Sequence, residues 1–153
     1  MSVLLDSSAF RKALFGLQVL RATAALPQTA AGSLFAITGG RILLTSIVGE
    51  VTTIIQNQAN NTKLQSVPTT GTTVDICAVL DIANKEVGTL FGITGTFATA
   101  LVGANAGATV IQTNPVVIPI GNIKLNCAAS NTGAAKWAIT YVPLDDGASV
   151  AAV

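Results

Sequence analysis

The chain has 153 residues, of which 50% are hydrophobic and only 10% charged, with a formal net charge of +1 and no histidine. A soluble domain usually carries about 25% charged residues, so this composition predicts that other protein covers much of the surface. The basic residues are scattered from Arg11 to Lys136 without a cluster to neutralise phosphates, which argues against a nucleic-acid partner. Lack of histidine removes the usual general base and the commonest metal ligand.

The N-terminus faintly imitates a signal peptide, with Arg11-Lys12 before the apolar run Ala13–Leu20. Asp6 precedes the basic pair, Gln18 interrupts the run and Arg21 closes it, which weakens the match to a cleaved segment. The stretch 1–20 is expected to be a short amphipathic arm that docks on a neighbour, followed by a single β-domain over 21–153. Val, Ile and Thr in short runs punctuated by Gly, Asn and Pro predict many short strands. In chain order these are Val19–Leu26, Ser33–Thr38, Arg41–Ile55, Thr62–Val67, Thr73–Leu80, Val87–Ile93, Phe97–Val102, Thr109–Thr113, Val116–Ile120, Ile123–Cys127 and Lys136–Val142.

Gly39-Gly40, flanked by apolar runs, predicts a tight two-residue hairpin rather than a phosphate cradle. The strand Arg41–Ile55 is apolar on both faces, so a core on one side and a second sheet or subunit on the other is the expectation. Gly49 is a candidate bulge. Glu50 would then meet either solvent at a bend or a cation of a neighbouring subunit. In Lys136–Val142 the alternation puts Trp137, Ile139 and Tyr141 on one face, with Pro143 ending the strand. Core packing of the two rings is favoured over a sugar-binding platform.

The uncharged run Val87–Ile123 is long enough to cross a membrane. Its repeated glycines, Asn105, Gln112, Asn114, Pro115 and Pro119 argue instead for strands buried in protein. Cys77 and Cys127 are the only cysteines; a disulfide is open, but two buried thiols are the expectation. Asp75, Asp81 and Asp145-Asp146-Gly147 specify neither a catalytic pair nor a calcium loop, so the last is expected to be a solvated turn. No enzymatic activity, cofactor or metal is expected. Leu34-Phe35-Ala36-Ile37-Thr38-Gly39 recurs as Leu90-Phe91-Gly92-Ile93-Thr94-Gly95. Two similar strand-to-turn corners of this kind favour an all-β antiparallel sandwich of jelly-roll type.

The segment Thr38–Thr53, together with Trp137-Ala138-Ile139-Thr140-Tyr141-Val142-Pro143-Leu144-Asp145-Asp146-Gly147-Ala148, resembles small structural proteins of tailed bacteriophages. The likeness runs from about Arg21 onward and transfers no functional residue by name. It implies a virion component made in the host cytoplasm, most simply a capsid decoration, or cement, protein on the capsid surface. Its partners would be its own copies, a trimer being favoured, and the major capsid protein, with no nucleic acid and no membrane. Tail or neck subunits and host-surface carbohydrate-binding modules are the rival readings. Candidate interface residues are Arg11, Phe15 and Leu17 in the arm and Ile47, Glu50 and Val51 in the central strand.

Overall fold

The computed structural model describes residues 7–105 and 107–153. It opens with helix α1 (Ser7–Phe15), which ends where the Gly16 N–H donates to the Lys12 carbonyl at 3.0 Å. Twelve strands follow: β1 (Leu17–Ala25), β2 (Ala31–Thr38), β3 (Ile42–Thr53), β4 (Asn61–Pro68), β5 (Val74–Asp75), β6 (Leu80–Asp81), β7 (Leu90–Gly92), β8 (Val102–Ala104), β9 (Val116–Ile118), β10 (Gly121–Cys127), β11 (Ala134–Pro143) and β12 (Ser149–Ala152).

The strands form two antiparallel sheets. The first runs β1-β11-β3-β7-β8, with β9 also pairing with β3; the second runs β12-β2-β10-β4-β5, with β6 also pairing with β4. The pairing is nested. β4 meets β5 and β6, β3 meets β7, β2 meets β10 and β1 meets β11, so the chain is one long antiparallel ribbon rolled into two layers. Rolling brings β11 onto β3 and β10 onto β4. This is the jelly-roll order, and it confirms the all-β sandwich read from composition and strand spacing.

Period-two alternation fills the space between the sheets. Ile123, Leu125 and Cys127 point inward from β10, and Ala135, Trp137, Ile139 and Tyr141 from β11. Each fully buried Ile or Leu is worth about 1.5–3 kcal/mol relative to exposure. Trp137 stacks on Phe91 with ring centroids 6.2 Å apart, and the Tyr141 hydroxyl accepts the Val150 N–H at 3.3 Å. Both rings are therefore core anchors, as their shared strand face implies.

Part of the double-sided apolar pattern of β3 comes from a shift in its register, while Leu43 and Val48 stay on the outer face. Thr140 pairs with Ser46 but Tyr141 pairs with Leu44, so Thr45 is an extra residue on β3. This bulge reverses the alternation, and Ile42, Leu44, Ile47 and Val51 all reach the same core. Gly49 stays in register opposite Trp137, so the extra residues of β3 are Thr45 and Thr52 and not Gly49.

Gly39-Gly40 does turn the chain, but not into a hairpin. β2 belongs to the second sheet and β3 to the first, so the glycines form a corner that carries the chain across the sandwich. Local pattern specifies a turn; which strand becomes the partner is decided by long-range packing. The echoed segments occupy matching places in opposite layers: Phe35 and Ile37 enter the core from one sheet, Phe91 and Ile93 from the other. Each ends in a left-handed glycine, Gly39 at φ 74° and Gly95 at φ 86°. A side chain at either would run into a backbone carbonyl, that of Gly147 or of Asn114.

Several strand boundaries differ from expectation. β1 begins at Leu17, which gives the end of the expected arm to the sheet, while residues 1–6 of that arm lie outside the described residues. Thr73–Leu80 is split by inward-facing Ile76 and Cys77 into β5 and β6. Only Val102 of Phe97–Val102 lies in a strand, and Thr109–Thr113 is a loop. There the N–H groups of Thr113 and Asn114 both reach the Thr94 carbonyl, and the Gln112 amide donates to the carbonyls of Leu44 and Asn114. β12 was not anticipated. Small residues in Ser149–Ala152 gave little pattern, and its strand character comes from pairing with β2.

Candidate interaction surface

The two outer faces of the sandwich differ in chemistry. On the second sheet Lys63, Gln65, Asn122, Lys124 and Asn126 alternate outward. Lys63 Nζ lies 2.6 Å from Asp75, Gln65 donates to the same carboxylate at 2.7 Å, and Asn126 donates to Gln65 at 3.0 Å. These hydrogen bonds from Lys63 and Gln65 hold the Asp75 carboxyl below the usual carboxylate range. Such a face is stable against water.

The outer face of the first sheet is apolar at its centre. Leu20, Ala138, Val48 and Gly92 stand opposite one another across β1, β11, β3 and β7. Beside this row, Lys136 and Glu50 are direct cross-strand neighbours with an ion pair at 2.9 Å. Leu20, Val48, Glu50, Leu90, Lys136 and Ala138 line a hollow of about 520 Å³. Leu20, at the sheet edge, is 68% exposed.

α1 lies against the same face. Its neighbours across shallow clefts are Gln18, Thr45, Ser46 and Thr140, and Thr45 Oγ1 donates to the Phe15 carbonyl at 3.3 Å. No α1 side chain is buried: Phe10, Leu14 and Phe15 are 53%, 60% and 65% exposed. A nine-residue helix without burial is marginal in water, since packing supplies most helix stability. Three large apolar side chains of α1 are thus left facing outward.

The candidate interface residues fall into two groups. Arg11, Phe15 and Leu17 are exposed on or beside α1, and Glu50 lies on the apolar outer face. Its ion-pair partner is Lys136 of the same chain, and its side chain stays 38% exposed. Ile47 and Val51 are 1% and 0% exposed and face the core between the sheets, so they offer no surface to a partner. The bulge at Thr45 is the reason, because it turns their side of β3 inward. Leu20, Val48, Leu90 and Ala138 were not singled out from sequence. Their signal was the outward alternation of Lys136 and Ala138, which fixes the same row on the neighbouring strands.

The acidic residues act as structural braces. Asp145 accepts Arg41 Nε at 2.9 Å, Nη2 at 2.7 Å and the Arg41 backbone N–H at 2.7 Å, which holds its carboxyl far below the usual range. The expectation of a merely solvated turn is thus corrected at Asp145, while Asp146 is exposed. Asp81 accepts the N–H groups of Asn60 and Ala83 and is lowered by them. Cys77 and Cys127 are free buried thiols, and burial pushes both up. Among the described residues no three or more Cys, Asp or Glu side chains converge to hold a metal, and no helix is long and apolar enough to cross a membrane. No family model, no curated protein and no solved structure matches the chain.

Proposed function

We propose that the chain is a structural subunit of a tailed-phage virion, a capsid decoration or cement protein that self-associates and stabilises the head shell. The observation that carries the reading is the contrast between the two outer faces: one sheet bears a paired polar surface, the other an apolar hollow beside an exposed apolar helix. A coat subunit has this need, with one face toward its neighbours and one toward water. The jelly roll is also an architecture of viral capsid domains, although a fold alone does not fix function. The sequence likeness to phage structural proteins points the same way.

Its partners are then further copies of itself and the major capsid protein, and the work done is mechanical. Each bound copy adds interface that must be broken before neighbouring capsomers separate, which raises the free energy of opening the shell. The rival carbohydrate-binding reading loses Trp137 and Tyr141, both buried in the core. A tail or neck subunit would use the same face against other partners. Labelling purified particles with antibody to the chain decides between them: label over the head surface is the expected result, and label confined to the tail, or none, contradicts it.

A further inference from the structure

We propose that the cleft between α1 and the first sheet binds a carboxylate from an acidic segment of a partner protein. The inference deepens the reading of a coat subunit by giving its partner a chemistry, and rests on that reading. Ser8, Arg11, Lys12 and Phe15 follow the i, i+3, i+4, i+7 spacing of one helix face, and all four line this cleft. Its other wall is Gln18 and Thr140, direct neighbours across β1 and β11. Phe10, exposed, falls on the opposite side of the helix. A helix lying on a sheet ordinarily turns its apolar stripe toward it. α1 turns Arg11 and Lys12 that way instead, over an open space of about 360 Å³.

Among the described residues no carboxylate lines the cleft, and neither Arg11 nor Lys12 has an ion-pair partner. Arg11 Nε donates to the Ser7 carbonyl at 3.3 Å, which leaves the terminal nitrogens of the guanidinium without a partner among those residues. The component that completes the cleft is therefore an anion. Arg11 presents a fork that matches the oxygens of a carboxylate, and Lys12, the Gln18 amide and the hydroxyls of Ser8 and Thr140 supply further donors. A carboxylate seated there touches helix and sheet at once, and so supplies the docking contact that the unburied helix lacks. A cleft with this pair of cations suits a short acidic stretch of protein. A nucleic-acid backbone asks for a wider basic patch, and the remaining basic residues lie outside the cleft.

Titration of the isotope-labelled full chain with hexaglutamate at low ionic strength, followed by amide NMR shifts, tests this. Shifts centred on Ser8, Arg11, Lys12, Gln18 and Thr140 are expected at millimolar peptide, and they weaken as salt is added. Arg11→Gln together with Lys12→Gln weakens binding by about tenfold or more and leaves the melting temperature in place, since both cations are exposed. Lys124→Gln, on the opposite sheet, leaves binding unchanged. Absence of shifts at about 10 mM peptide, shifts centred elsewhere, or an unaltered affinity in the double variant overturns the proposal. Tighter binding of a single-stranded oligonucleotide than of hexaglutamate overturns the carboxylate. Asp6 precedes α1 and lies outside the described residues. A gain of about tenfold on Asp6→Asn assigns the cleft to the chain's own carboxylate and overturns the partner. Particles separate the two readings. A double variant that loses hexaglutamate yet coats particles like the unaltered chain overturns only the cleft contact; a chain absent from particles whose cleft still binds the peptide overturns only the virion reading.

Discussion

Trp137 and Gly49 show how one missing side chain fixes another. A Cβ on Gly49 would sit 2.8 Å from the indole of Trp137, the residue paired with it across β11 and β3. Gly49→Ala therefore forces the ring off Phe91, and a loss of about 1–3 kcal/mol is expected in denaturant melts. Asp145 belongs to the same scale. Its folded-state pKa is depressed by Arg41, so its contribution is fully present above the unfolded value near 4 and is lost as pH falls toward the folded value. Thermal melts should show stability falling below about pH 4, and Asp145→Asn should lower the melting temperature at pH 7 while flattening that part of the profile. Asp146→Asn, at an exposed position, should change neither. Ile47→Asp or Val51→Asp places a charge among core side chains and should cost several kcal/mol, enough to unfold the domain.

Elements divide sharply in how much each owes to the rest. α1 buries none of its side chains, so deleting residues 1–15 should leave the far-UV spectrum and the melting transition of the β-domain nearly unchanged while weakening particle binding. A large fall in melting temperature would show instead that the helix is part of the core. Long strands with clean alternation, β10 and β11, were legible in the sequence because one buried face imposes period two. β3 was legible as a strand but misread in its faces, since the bulge at Thr45 reverses the alternation and only the paired strand reveals it. Gly39-Gly40 was legible as a turn and misread as a hairpin, because partner choice is a property of the whole roll. The arm residues Arg11, Phe15 and Leu17 were visible as an amphipathic segment, but the hollow that faces the same way comes from four strands, three of them distant in sequence.

At the scale of the molecule, the nested pairing makes the first strand depend on nearly the last: Leu17 pairs with Tyr141, and β11 separates β1 from β3. A chain truncated after Ser130 lacks that central strand and should fail to fold, as seen by loss of the cooperative melting transition. The same roll leaves one outer face polar and braced by Lys63, Asp75 and Gln65, and the other apolar with α1 beside it. Orientation in an assembly follows from that contrast. Cryo-electron microscopy of particles carrying the chain measures it directly: the account predicts density for the roll on the head shell, with α1 and the face of Leu20, Val48 and Ala138 covered by neighbouring protein and the Lys63–Lys124 face open to solvent. Density with α1 and that apolar face exposed, and the polar sheet against the shell, would contradict it.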